Sequence, residues 1–244
     1  CILMKSVVDL HTHTIVSGHA YSTLAEMIDA AQKKGLKLFG VTEHGPKMPG
    51  SCHSIYYRNL SIIPRQYGEM RLMMGSEMNI IDFAGNVDLK PSITKTLDIR
   101  IAGLHSRAFT NGTVTENTDA IINAMKRPDV DIISHPVDGT ADLDIKAIVQ
   151  CSAETKTLLE LNNSSLRPGR DKPMAKSNFI EMLEYCKELN VPIIMGSDAH
   201  ITYDVANHTY AYALAKEIGF PDELILNGDD TKFLNHLAEI RESK

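Results

Sequence analysis

Apolar runs of strand length recur along the chain, and most are separated by stretches in which apolar residues return every three or four positions. Seven such runs are SVVDL, LKLFGVT, MRLMMG, DIRIAGL, VDIISH, TLLELN and VPIIMGS. After Tyr21 the period becomes helical: Leu24, Met27, Ile28 and Ala31 share one face, Thr23 and Glu26 fit a capping box, and Gly35 suits the C-terminal cap. Further amphipathic stretches near 116–126, 142–153, 176–189, 203–218 and 230–241 predict helices. Buried strands joined by helices predict an α/β fold with a parallel sheet. Two connections, 45–70 and 79–97, break the rhythm, being long and rich in Gly, Pro and Asn, and are expected to lie over a binding site. Periodicity alone leaves the sheet either open or closed.

The 244 residues, 43% hydrophobic and 23% charged, suffice for a substantial core. No linker, charge block or repeat divides them, so residues 1–244 read as one domain. The formal net charge of -6 argues against a nucleic-acid or anionic-membrane surface, which needs clustered Lys and Arg. Cys1, Cys52, Cys151 and Cys186 form no CxxC pair, which predicts reduced thiols and a cytoplasmic protein. The opening CILMKS is too short to be a signal core, and Met4 fits a natural start behind a foreign stub.

Histidine is distributed less evenly. DLHTHTIVSGH places His11, His13 and His19 at and just beyond the first run. In an extended strand, residues two apart share a face, so His11 and His13 are expected to converge on one ion. His44 follows the second run, Glu77 the third, His105 the fourth, His135 the fifth, and Asp198 and His200 the seventh. In parallel α/β architectures, and in barrels especially, C-terminal strand ends converge on one mouth, which favours closure here. Nine candidate ligands exceed the capacity of one ion and imply two or three metals. A set rich in imidazole and free of thiolate suits zinc, with manganese or iron as substitutes. Asp9 is expected to accept a ring N–H on the same face as His11 and His13.

The blocks DLHTHT, TEHGP, GSEMN, ISHP and GSDAH resemble those of the PHP (polymerase and histidinol phosphatase) superfamily. HAYST, KLFGVTEHGPKMPG and LELNNSS are similar to its YcdX-type branch of small phosphoesterases. The likeness runs over nearly the whole chain; where the family often has TDHG, this chain has Thr42-Glu43-His44-Gly45, which spares the histidine. The resemblance implies a distorted (β/α)7 TIM-like barrel with three metals, usually zinc, at the C-terminal ends of the strands. It also implies a distribution: His11, His13, Glu77 and Asp198 on one ion, Glu77, His105 and His135 on a second, and His19, His44 and His200 on a third.

Three divalent ions with Glu77 and Asp198 would leave about four positive charges at the mouth, a field that suits a phosphate dianion far better than a neutral amide. The expected enzyme is thus a metal-dependent phosphatase in which a metal-activated water attacks phosphorus, with Glu77 and Asp198 as the carboxylates of the catalytic centre. Arg65, in the first long loop, and Arg107, beside His105, are candidate phosphate contacts because guanidinium matches phosphate oxygens. Asn162 and Asn163 are read as turn or substrate-orienting residues, His53 as a surface or substrate residue, and His208 and His236 as structural or exposed. The expected partner is a small phosphorylated molecule, with no nucleic acid or membrane and with homo-oligomerisation open. Alternatives are a non-catalytic PHP metal module, a nuclease, or an amidohydrolase using the same metals.

Overall fold

The structure, a computed structural model, describes residues 6–244; Cys1 and the expected start at Met4 lie outside them. Eight strands occur among these residues: β1 (Val8–Asp9), β2 (Leu38–His44), β3 (Gln66–Tyr67), β4 (Met70–Asn79), β5 (Ile99–Gly103), β6 (Ile132–Ile133), β7 (Leu158–Asn162) and β8 (Ile193–Gly196). Seven are parallel in the order β1-β2-β4-β5-β6-β7-β8, and β3 pairs antiparallel with β4. The ends of this sheet meet where Thr12 bridges Ala199 and the His13 amide donates to the Ala199 carbonyl at 2.8 Å. The result is a distorted TIM-like barrel, as the family resemblance implied and as the position of the candidate ligands favoured.

The principal helices are α1 (Leu24–Lys33), α2 (Ile55–Arg58), α3 (Pro91–Thr94), α4 (Val114–Met125), α5 (Ile145–Thr155), α6 (Ala175–Glu188), α7 (Thr209–Glu217) and α8 (Asp230–Glu242). Helix α1 starts with the expected Thr23–Glu26 capping box. It ends with Gly35 at φ +75°, its amide on Gln32 and the Leu36 amide on Ala31, a Schellman closure that a residue with Cβ makes at a cost. Helix α7 begins later than the expected 203, because the amides of Tyr210 and Ala211 are satisfied by the Asn163 side chain at 2.8 and 3.1 Å.

The apolar residues divide between the two faces of the sheet. Phe39, Val41, Leu72, Met74, Leu159, Leu161, Ile193 and Met195 pack outward with the helices. Leu38, Met73, Ile99, Ile101, Ile132, Leu158 and Ile194 cluster inside with Phe233, Leu237 and Ile240 of α8. Helix α8 therefore plugs one end of the barrel and leaves the other for polar groups. Near the plugged end, buried Asp131 is gripped by Arg100 Nη2 (2.5 Å) and by Arg241 Nη2 of α8 (2.9 Å). Two expectations about loops fail. Segment 45–70 is the crossover from the open end to the plugged end, carrying α2 and β3, and only its Met48 lines the mouth. Segment 79–97 contributes no lining residue among those described.

The seam between β1 and β8 has little regular pairing, and the Asn227 side chain substitutes for it. Its Nδ2 donates to the carbonyls of Val8 (2.9 Å) and Met195 (2.8 Å), and its Oδ1 accepts from the Met195 amide (2.7 Å). All of this is buried, so Asn227→Ala should strand three backbone groups without water. A loss of about 2–4 kcal/mol in urea unfolding is expected. A change below about 0.5 kcal/mol would show that the seam does not depend on this amide.

Candidate metal centre

Six strand ends deliver the candidate ligands to the open end. His44 closes β2 and Glu77 lies near the end of β4, paired in register with it; Ile101 of β5 is the next neighbour across. His105 follows β5, His135 follows β6, and Asp198 and His200 follow β8. His11 and His13 lie just past β1, and His19 lies in the turn after Ile15–Ser17. The structure brings all nine together.

Four of them form one compact group. His11 Nε2 lies 3.1 Å from His13 Nε2, 3.3 Å from Glu77 Oε2 and 3.6 Å from Asp198 Oδ1. His13 Nε2 lies 3.5 Å from Glu77 Oε2 and 3.4 Å from Asp198 Oδ1. Ligand atoms on a tetrahedron with bonds near 2.0–2.1 Å stand roughly 3.3 Å apart, so these separations fit four groups around one ion. The other oxygen of Glu77 faces a different pair, with His105 Nε2 at 3.1 Å and His135 Nε2 at 2.9 Å from Oε1. Third, His19 Nε2 lies 3.0 Å from His200 Nε2, and the His19 ring stacks on that of His44 at 5.0 Å.

The charges in the cluster also call for cations. Burial works against the ionised form of Glu77, but His11, His105 and His44 hold its pKa well below the usual carboxylate range. Asp198 is likewise opposed by burial, yet His11 and a hydrogen bond from His13 keep it well below its ordinary value. Burial disfavours charge on His11, but Glu160, Glu77 and Asp198 outweigh it and raise its pKa strongly. Burial also acts against His135, and its hydrogen bond to Glu77 with the charge of Asp138 lifts it to about 9. His13 is pushed well below its usual value by burial and by His44 and His200. The carboxylates thus favour positive charge on His11 and His135, and divalent ions bound there would compete with protons for these rings. Among the buried side-chain atoms lacking a hydrogen bond are His44 Nδ1 and Glu77 Oε2. They stand 2.8 Å apart with no hydrogen bond between them, so a lone pair on each is left unsatisfied inside the protein. The residues present fit divalent metal ions, and the groups His11–His13–Asp198, His44–Glu77–His105 and His13–His44–His200 could each hold one.

Strand β7 supplies none of the nine candidates but fixes several. His11 Nδ1 donates to Glu160 Oε1 (2.7 Å), and the His135 backbone amide donates to Glu160 Oε2 (2.8 Å). Asn162 Nδ2 reaches Glu160 Oε2 at 3.0 Å and Asp198 Oδ2 at 3.4 Å. His135 and Asp198 both hold left-handed backbone, at φ +30° and +53°, a strain the surrounding bonds must maintain. Gly196 leaves the necessary room: a Cβ there would lie 1.7 Å from Glu160 Oε1. One hint of Glu160 is legible in the chain: an acid directly within the apolar run Leu158, Leu159 and Leu161. Ser17 Oγ pairs with His13 Nδ1 at 3.0 Å and donates to Glu43 Oε2 at 2.6 Å, so the Thr-Glu-His variant places a working carboxylate behind His13.

Some expected residues are elsewhere. Asp9 does not pair with His11 or His13; His208 Nε2 lies 3.6 Å from its Oδ1. Regular pairing of β1 stops at Asp9, and its carboxylate turns to Ser197 Oγ (2.6 Å) and the Ala206 amide (2.7 Å). Arg65 is not at the mouth: its Nε binds Asp98 at 2.5 Å, and Arg241 of the plugging helix donates to the Asp98 carbonyl, so Arg65 belongs to the opposite end. Its loop crosses the whole barrel before it, and the guanidinium is spent on Asp98 and the carbonyls of Leu60 and Ile63. Arg107 does line the mouth, exposed beside His105. His53 is exposed and accepts from the Ile55 amide; His208 is buried against Ser6 Oγ at 2.8 Å, and His236 pairs with the Lys156 carbonyl. Cys52, Cys151 and Cys186 are free thiols, and no helix among the described residues is long and apolar enough to cross a membrane.

A protein from Clostridium novyi named probable phosphatase is 42% identical over 234 residues, 96% of this chain and 95% of its own. One of the same name from a Thermoanaerobacter species is 43% identical over 237 residues, 97% and 96% of the two chains. The solved histidinol phosphate phosphatase of Lactococcus lactis, complexed with zinc, L-histidinol and phosphate, shares the fold at a TM-score of 0.61 and 18% identity, covering 87% of this chain and 94% of its own. The model of the PHP domain matches residues 9–239, so the chain belongs to the PHP domain family.

Proposed function

We propose that the protein is a metal-dependent phosphatase that hydrolyses a small phosphomonoester at a centre of three ions, with zinc preferred. The observation that carries this reading is the arrangement around Glu77: Oε2 within a tetrahedral set with His11, His13 and Asp198, and Oε1 toward His105 and His135. A carboxylate that offers its two oxygens to two groups of donors suits a pair of ions about 3.5–4 Å apart, the spacing used in two-metal displacement at phosphorus. His19, His44 and His200 would complete a third site. Bound ions would supply charge neutralisation and a lowered pKa for water.

The chain's own residues do the rest. Glu160 holds His11 with Nδ1 protonated, which leaves Nε2 as the electron-pair donor, and Asn162 keeps the second oxygen of Asp198 in place. Arg107 is positioned to take a phosphate oxygen at the rim. The cavity above the cluster, about 420 Å³, admits a small ester. The relatives named probable phosphatase and the zinc-bearing histidinol phosphate phosphatase support phosphoester over amide chemistry. A full set of nine donors supports catalysis over a degenerate metal module.

On p-nitrophenyl phosphate, its bis-ester and a simple amide, the monoester should be turned over fastest, with inorganic phosphate competing. Turnover confined to the amide and indifferent to phosphate would contradict the reading. Removing the bridging residue should cost more than removing a peripheral one. Glu77→Ala is expected to lose metal from two sites and more than about a hundredfold in turnover, whereas His19→Ala should chiefly deplete one site. Full metal content and near-normal turnover in Glu77→Ala would refute the bridge and make Asp198 the next residue to test.

A further inference from the structure

The mouth is electrically lopsided in a way the metal centre does not require. On the side formed by the loops after β5, β6 and β7 stand Arg107, Arg170 and Lys172, while the lining residues on the side of Tyr21 and Met48 include no Lys or Arg, exposed Lys47 lying outside the lining. Two of these cations are positioned by the protein itself. Arg170 Nη2 donates to Ser164 Oγ at 2.6 Å, and Lys172 Nζ donates to Asp138 Oδ2 at 2.7 Å and Thr140 Oγ1 at 2.8 Å. Lys172 therefore keeps one N–H free, and Arg170 keeps most of its fork.

Lys172 stands clear of the candidate metals. The carboxylate that holds it, Asp138, lies 3.5 Å from Nδ1 of His135, whereas Nε2, across the same ring, is the atom that faces Glu77 at 2.9 Å. An imidazole ring and a carboxylate thus separate Lys172 from the centre. Arg107, Arg170 and Lys172 line the same cavity, and if a phosphate seated on the ions took Arg107, Lys172 and Arg170 would be left for the remainder of the ester.

We propose that the alcohol portion of the substrate carries a second anionic group, a carboxylate or a second phosphate, received by Arg170 and Lys172. This rests on the phosphatase reading and narrows it to esters with two separated anions. Prior pinning by Ser164, Asp138 and Thr140 limits the side-chain entropy lost on binding, so the contact favours affinity for the whole substrate.

The test compares matched esters on the metal-loaded enzyme: 4-carboxyphenyl phosphate against 4-carbamoylphenyl phosphate, and propane-1,3-diol bisphosphate against 3-hydroxypropyl phosphate. The doubly anionic member should be favoured by about tenfold or more in kcat/KM, carried mainly by KM and shrinking with added salt. The pair with the larger ratio identifies carboxylate or phosphate as the second group. Arg170→Ala and Lys172→Met should each pull that ratio toward one. A ratio within about twofold in the wild type, or one unchanged in both variants, overturns the second-anion site while leaving phosphatase activity standing. Hydrolysis of none of the four esters would instead refute the phosphatase reading, and this proposal with it.

Discussion

A carboxylate sealed inside a protein is tolerated only when positive charge or many donors surround it, and Glu77 is sealed completely. The rest of the open end follows from that constraint. His11, His13 and His44 face one of its oxygens and His105 and His135 the other, delivered from the ends of β1, β2, β5 and β6. Behind them a second carboxylate, Glu160, fixes a ring of one histidine and the backbone of another. Two buried acids are thereby linked through His11, with Asn162 tying Glu160 to a third at Asp198. Such a network of buried acids and imidazoles needs positive charge, which protons or divalent ions could supply.

So much buried charge at one end has to be offset by cohesion elsewhere. The barrel interior is apolar toward its other end and is closed there by Phe233, Leu237 and Ile240 of α8. Asp131 between Arg100 and Arg241, and Asp98 holding Arg65, fasten that closure, while the Asn227 amide joins the strands that regular pairing leaves apart. This division between a chemical end and a structural end is general to barrels of parallel strands. It explains why Arg65, one residue type with phosphate chemistry, serves here to hold the Asp98 carboxylate and the carbonyls of Leu60 and Ile63.

The strands and the nine donors were legible because two simple signals coincide: parallel strands buried on both faces read as continuous apolar runs, and each candidate ligand stands at or just past the end of such a run. Glu160 and Asp138 were missed because a residue that orients a ligand has no spacing rule; its partners are 149 positions away for His11 and three for His135. Arg170 and Lys172 were missed for the same reason, since their loop reaches the mouth only through the closure of the barrel. Arg65 was misplaced because composition marks a long loop but not where along its course the chain passes from one end of the barrel to the other. Asp9 shows the limit of strand alternation: period two holds only while regular pairing lasts, and β1 ends at that residue.

The central claim is that Glu77 lies between two ions in a centre that holds three. Its most direct test is the metal content per chain of protein produced with zinc supplied and freed of loosely bound metal, measured together with zinc anomalous scattering in crystals. The account predicts close to three ions, two of them about 3.5–4 Å apart on either side of the Glu77 carboxylate. A single ion per chain, or two that share no ligand at Glu77, would contradict it.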